Sequence, residues 1–463
     1  ATRRITAAHP TTRVLVLTSV SADNKVFPVI KAGAAGYLLK EASPEELVRA
    51  VRQVHRGEPS LHPTIARKLL QEIARPAELR PAPEALTEVG ISPEDAAVCS
   101  EVLIASDLRG IESHGIGRLK MYINRIRSGQ INPKSQFEVV REGPATALVD
   151  GHYSLGMVIA TKAMQMAIDK ARVYGMGSVA VRNSTHFGID GYYPLMAVKQ
   201  GMLGMSFTNA RPSIAPTFGV QPMLGTNPIA FGCPTDEDCP FVFDAATSIT
   251  QRGKFEVLQR AEKPGNPGWV TDQAGAGLTD AAAVITGLDK DNVALLPLGG
   301  AGEDLGGHKG YGLAVMVEIL SSSLQLSPFM HGLLGRDTSG KPIPFMVGHF
   351  FMAVNIESFV SLDEFKHNTG EILRELRASR KAPGQSRIYT ANEKEYEMEQ
   401  RRRREGIPVN ENLQRELQTM RDELRRVNDR LYIGYGSLGT GGGSLNPSPF
   451  IVYGKPTAWV GMQ

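Results

Sequence analysis

Two short stretches bring together side chains suited to moving a proton and holding an acid. Asn183-Ser-Thr-His-Phe-Gly places His186 directly after Gly177-Ser-Val-Ala-Val-Arg, an apolar run that reads as a buried strand. Where a strand runs into a loop, a side chain is free to face a ligand. An imidazole, with an unperturbed pKa of about 6.5, both gives and takes a proton near neutrality. A hydrogen-bonded structural histidine would carry the same letters. The second stretch is Ile111-Glu-Ser-His-Gly-Ile-Gly-Arg-Leu-Lys-Met-Tyr. Gly115 and Gly117 permit a tight turn into a helix on which Arg118 and Tyr122, four apart, share one face, with Ser113 and His114 at its mouth. A guanidinium beside a phenol suits a carboxylate, because the arginine fork donates two parallel hydrogen bonds. A solvated arginine on a surface helix is the alternative, and Arg109 is the next cation at hand.

The elements that must position these groups carry their own signals. Ser92-Pro-Glu-Asp predicts a helix start with an N-cap, a proline in the first turn and an acidic end, closed by Gly110. Residues 161–174 predict an amphipathic helix with Ala163, Ala167, Ile168 and Ala171 on one stripe, closed by Gly175. Gly204-Met-Ser-Phe-Thr-Asn-Ala is a further strand, and Pro222-Met-Leu-Gly-Thr-Asn-Pro carries turn residues that bring backbone close to something. Asp244-Ala-Ala-Thr-Ser and Gly306-Gly-His-Lys-Gly-Tyr-Gly follow. Glycines around Lys309 let amides approach a pyrophosphate while the lysine meets its charge, although an exposed turn reads the same way.

Composition narrows the partners. Lys+Arg 51 against Asp+Glu 48 in 463 residues leaves +3, so no charge excess points to nucleic acid or an anionic membrane. The apolar runs are too short to span a bilayer, and no signal segment is expected. Cys99, Cys233 and Cys239 form neither a disulfide framework nor a CxxC pair, which fits the cytoplasm and no metal site.

Residues 1–75 read as strand, helix, strand, helix, with residues 24–32 as the first helix and Ser43-Pro-Glu-Glu as a capping-box start to the second. The stretch TRVLVLTS…PVIKAGAAGYLLKEASPEELVRAVRQVHRGEPSLHP resembles the second half of a LuxR-type response-regulator receiver domain. By that resemblance Thr18 or Ser19 and Lys40 match the phosphoryl-contacting hydroxyl and lysine, but the acidic pair and acceptor aspartate fall before Ala1, so phosphotransfer is not expected. Residues 76–84 form a Pro-rich linker, residues 85–428 a second body, and residues 429–463 a Gly/Ser-rich tail of unknown role. Gly434-x-Gly436-x-x-Gly439 has the letters of a dinucleotide fingerprint, but no βαβ unit can follow it. Arg401 to Arg404 reads as a solvated face, with Glu397 and Glu399 four residues before Arg401 and Arg403.

Taken in order, SPEDAAVCSEVLIASDLRGIESHGIGRLKMY, VRNSTHFGIDGYY, PTFGVQPMLGTNPIAFGCPTD, FDAATS, GGHKGYGL and GEILRELRASRKAPG resemble the malate/L-lactate dehydrogenase family. The resemblance implies a non-Rossmann α/β fold around a largely antiparallel sheet, an NAD or NADP cofactor, a small 2-oxo or 2-hydroxy acid as substrate, and a homodimer. It makes His186 the acid/base and sets Ser113, His114, Arg118 and Tyr122 around substrate and nicotinamide. Ala210, Asp244, Ala245, Ala246 and Lys309 then fall in the segments that contact the dinucleotide. Two rivals remain: a signalling protein run by its receiver segment, and a fusion whose catalysis is impaired.

Overall fold

The computed structural model describes residues 12–18, 34–39, 42–56, 60–61 and 84–427. The expected helix at 24–32, Ser19 and Lys40, the Pro-rich joint and the tail from 428 onward lie outside these residues. The chain divides into two compact units, Ala1–Arg80 and Pro81–Gln463.

In the first unit β1 (Val14–Thr18), β2 (Ala34–Leu39) and β3 (Ser60–Leu61) form a parallel sheet in that order. The capping box at the start of α1 (Pro44–Arg56) closes in both directions: the Ser43 amide donates to Glu46 Oε2 at 2.9 Å, and the Glu46 amide to Ser43 Oγ at 3.2 Å.

The second unit opens with α2 (Glu84–Thr87) and α3 (Pro93–Leu108). Ser92 caps α3 by accepting from the Asp95 amide at 3.2 Å, and Gly110 takes a φ of 79° beyond its end. Cys99, Val102 and Leu103 of α3 are buried against Leu119, Tyr122 and Ile123 of α4 (Leu119–Arg127).

The centre is a seven-stranded sheet. Its strands are β4 (Glu138–Glu142), β5 (Thr146–Asp150), β6 (Met176–Ser184), β7 (Met202–Thr208), β8 (Ile229–Cys233), β9 (Phe241–Ala245) and, far later in the chain, β12 (Val347–Asn355). The order is β4-β5-β6-β12-β7-β8-β9, and only β5 and β6 run parallel. That pair is joined by the crossover helix α5 (Gly156–Tyr174), as a parallel pair must be. Ala163, Ala167, Ile168 and Ala171 of α5 are fully buried, and its backbone comes so close that a Cβ on Gly177 of β6 would lie 2.1 Å from the Ala167 carbonyl oxygen.

Helix α5 starts five residues before the expected Thr161. Its first turn has no capping side chain at Leu155; instead the Gly156 amide donates to Thr185 Oγ1 at 2.9 Å, from the loop after β6. A cap lent by a residue 29 positions away leaves no local mark. Between β6 and β7 the chain adds α6 (Tyr192–Val198) to the sheet's helical cover. A smaller cluster gathers α7 (Arg252–Arg260), β10 (Val270–Asp272), α8 (Ala281–Asp289), β11 (Val293–Leu295) and α9 (Gly307–Ser322) around Phe255 and Val284. The chain then runs through α10 (Leu362–Ala378), α11 (Glu393–Glu405) and α12 (Glu411–Val427), whose Met420 returns to the α3–α4 core.

The basic run in α11 departs from the expected solvated face. Arg403 pairs with Glu399 at 2.7 Å as the spacing suggests, but Glu397 pairs with Arg387. Arg402 is buried: it donates to the Asp107 carbonyl oxygen and meets Glu112 at 2.5 Å, because α11 packs against α3. Among the described residues no helix is long and apolar enough to cross a membrane.

Candidate active site

His186 sits just beyond β6, after Asn183 has turned the backbone with a φ of 50°. Its floor is rigid. His349 of β12 is fully buried, bridges Thr208 Oγ1 and Ser184 Oγ at 2.8 Å each, and stacks on Phe187 with ring centroids 4.6 Å apart. Burial holds its pKa near about 3, so it is a neutral strut between the ends of β6 and β7.

The second stretch folds into two short 3-10 turns, Glu112–His114 and Ile116–Arg118, before α4. Asp107 organises them: its carboxylate accepts from the Ile116 amide at 2.8 Å, and a Cβ on Gly115 would lie 1.7 Å from its Oδ1. With Arg402 braced against Glu112, these two buried residues hold the turn; the sequence left Asp107 unmarked and read Arg402 as solvated.

The two stretches meet. Tyr122 Oη lies 2.6 Å from His186 Nδ1, and the His114 and His186 rings stack at 5.5 Å, 15° from parallel. Ser113 Oγ contacts His114 Nδ1 at 2.9 Å. A tyrosine hydroxyl donates to a bare nitrogen and accepts from a protonated one, so Tyr122 can hold the imidazole in either state; burial raises its own pKa and keeps it a phenol. Burial, then the nearby His114, Arg125, Arg118 and His349, lowers the His186 pKa well below 6.5; burial and Arg118 bring His114 to about 4.

One expectation is corrected. Arg118 and Tyr122 do not present a joint face to a carboxylate. Arg118 is the N-cap of α4, and its side chain is drawn away from Tyr122: Nε donates to the Ser113 carbonyl oxygen at 2.6 Å, and Nη2 stands 3.9 Å from Glu256. Tyr122 is fully buried, with its hydroxyl turned to His186. Arg109 is not a substrate cation either, since it is buried against Asn392 and Glu399.

His114, Arg118 and His186 line a cavity of about 470 Å³, within the range usual for small-molecule sites. Ala210 lines it too, with its amide donating to Asn227 Oδ1 at 3.2 Å. The wall also holds Arg125, Arg211 and Arg252, which were not foreseen, although Arg125 lies seven residues after Arg118, at helical spacing. Asp244, Ala245, Ala246 and Lys309 are not in this wall. Asp244 accepts from the Gly191 amide at 2.7 Å near the end of β9. Just beyond Ala246, the Thr247 amide donates to the Thr226 carbonyl oxygen, and Thr226 lines the cavity. Thr247 also accepts from the Leu298 amide at 2.8 Å, which ties this segment to the loop entering α9.

That loop is tightly folded on glycines. Gly299, Gly300, Gly302 and Gly306 all have positive φ, and a Cβ on Gly307 would lie 2.1 Å from the Gly300 carbonyl oxygen, so only glycines allow this compact cradle. Lys309 is exposed in the first turn of α9, beside helix-terminal amides.

Comparison with known proteins bears on the same residues. The family profile described as malate/L-lactate dehydrogenase matches residues 78–418. Malate dehydrogenase from Pyrococcus horikoshii is 45% identical over 324 residues, covering 70% of this chain and 87% of that protein. L-sulfolactate dehydrogenase from Methanocaldococcus jannaschii is 37% identical over 341 residues, 74% of this chain and 94% of that one. The crystal structure of malate dehydrogenase from Entamoeba histolytica superposes with a TM-score of 0.72 at 44% identity, covering 76% of this chain and 96% of that chain. The mostly antiparallel sheet is thus the family's fold, and the chain belongs to the malate/L-lactate dehydrogenase family as an NAD(P)-linked hydroxy acid dehydrogenase.

Proposed function

We propose that the chain reduces a small 2-oxo acid, and oxidises the matching 2-hydroxy acid, with His186 as the proton-transfer residue. The observation that carries this is His186 on the cavity wall with Tyr122 behind its Nδ1, which leaves Nε2 as the nitrogen that can exchange a proton with substrate. When bound, the nicotinamide of NAD or NADP supplies or accepts the hydride. Arg118 holds the substrate carboxylate beside His114, and Ser113 keeps the His114 ring in place. Ala210, Asp244, Ala245, Ala246 and Lys309 hold the dinucleotide. His186 gives its proton to the carbonyl oxygen during reduction and takes it back from the hydroxyl during oxidation.

The assay is oxidation of NADH and of NADPH with oxaloacetate, sulfopyruvate, pyruvate, branched 2-oxo acids and cyclic imines. At least one 2-oxo acid should be turned over, and turnover should persist when residues 1–75 are deleted, since the family match begins only at residue 78. A folded protein inert towards every acid would sink the reading.

The working form is a cytoplasmic homodimer. Leu313, Met316, Ile319, Leu324 and Phe329 stand exposed on α9 and the segment after it, an apolar face of the kind that marks interfaces. Ile319→Asp should therefore halve the mass measured by light scattering, and a parent chain already monomeric would refute the dimer. The three cysteines are free thiols, as suits a reducing compartment.

A further inference from the structure

The cavity carries more positive charge than one carboxylate requires. Four arginines line it, and their partners divide them into two kinds. Arg252 is met by Glu256 at 3.0 Å and by both oxygens of Asp289. Arg118 has Glu256 at 3.9 Å. Arg125 and Arg211, by contrast, form no ion pair among the described residues, and Asp289, the acid that feels Arg211, is already held by Arg252.

These two cations line the same cavity and repel each other through space. Burial lowers the Arg125 pKa to about 10; Tyr122 opposes this, and Arg211 and then Arg118 add smaller repulsions. Its guanidinium lies 4.1 Å above the Phe345 ring, another cavity residue. Stacking engages the flat face and leaves the in-plane N–H edge for an acceptor. Arg211 is exposed and follows β7 directly after Asn209 and Ala210. Asp289 and Asp291 share this wall but, among the described residues, neither pairs with Arg125 or Arg211, so an anion held by the two arginines would reduce their repulsion. Arg118, the N-cap of α4, precedes Arg125 by seven residues, about two helical turns, so the two cations bind at separate points of the wall.

We propose that Arg125 and Arg211 form a second anion subsite, which selects 2-oxo acids bearing another acidic group, a carboxylate or sulfonate, beyond the carbonyl. The proposal rests on the cavity being the 2-oxo acid site. The same chemistry would bind a phosphate of the dinucleotide, and the experiment separates the two.

The test compares oxaloacetate with 2-oxobutyrate, which has a similar chain without the second charge, in the parent, Arg125→Gln and Arg211→Gln. The ratio of their kcat/KM values should favour oxaloacetate in the parent and fall by roughly ten- to a hundredfold in each variant, the worth of a charge-assisted hydrogen bond. Dissociation constants for NADH and NADPH, read by protein fluorescence, should move by less than the ratio does. Equal losses on both acids would overturn the proposal by placing the arginines on the shared carboxylate. Weakened dinucleotide binding with an unchanged ratio would overturn it in favour of a phosphate site. Arg211→Gln changes an exposed residue, so it remains informative if Arg125→Gln fails to fold. Thermal stabilisation by L-malate against 2-hydroxybutyrate needs no turnover: a larger shift with malate that is lost in the variants supports the subsite even in a chain inert to every 2-oxo acid, whereas equal shifts in the parent refute it.

Discussion

His186→Asn should lower kcat by roughly a hundredfold to ten-thousandfold, the usual worth of a positioned acid or base, while NADH and NADPH still bind. Asparagine keeps a hydrogen-bonding end of similar size but cannot relay a proton. The pH dependence gives a second readout with a definite sign. Reduction needs the protonated ring, so kcat/KM for a 2-oxo acid should fall as pH rises through the free-enzyme pKa of His186. Burial and the surrounding cations lower that pKa, so this limb should lie below pH 6.5. Oxidation needs the neutral ring and should stay level through neutrality, falling only in acid. The asparagine variant should lose both limbs, provided that chemistry limits the rate. Near-normal turnover with the limbs intact would move the proton donor to His114, whose ring stacks on that of His186.

Arg118→Lys should raise KM for the 2-oxo acid and lower kcat together, with kcat/KM falling by about ten- to a hundredfold for each charge-assisted hydrogen bond that the lysine fails to make. An ammonium can neither reproduce a two-pronged grip nor keep the bond that Nε makes to the Ser113 carbonyl oxygen, so the carboxylate would wander and carry the carbonyl carbon away from the hydride. Steady-state kinetics with NADH or NADPH saturating checks this. Unchanged parameters would hand the carboxylate to Arg125, since Arg109 is buried against Asn392 and lies outside the cavity.

Local chemistry made much of this fold legible. Ser92, Ser43 and Gly175 mark their helix ends because caps act over three or four residues. His186 was legible because a strand followed by Asn-Ser-Thr-His is a local pattern. What escaped depends on distant partners. The start of α5 is capped by Thr185, the 3-10 turn under Arg118 is held by Asp107 and Arg402, and Arg402 looked solvated because nothing in its own helix shows that α11 packs on α3. Tyr122 was assigned to substrate because spacing gives a face but not a neighbour; its hydroxyl was already taken by His186. Arg211 left no mark, because an arginine after a strand signals a ligand only once Arg125 is seen in the same cavity wall.

The place of β12 governs when the site can exist. It lies between β6 and β7, yet it follows β7 in the chain by 139 residues, Thr208 to Val347. Until Asn355 has left the ribosome, the inner edges of β6 and β7 have no strand to pair with, and the His349 strut that ties Ser184 to Thr208 has not been made. Such distant pairing is slow to form, and open strand edges are where nascent chains stick to one another. The catalytic loop is thus among the earlier parts of the site to be translated and among the last to be set in place, and this stretch of synthesis is when the chain has most to gain from a chaperone.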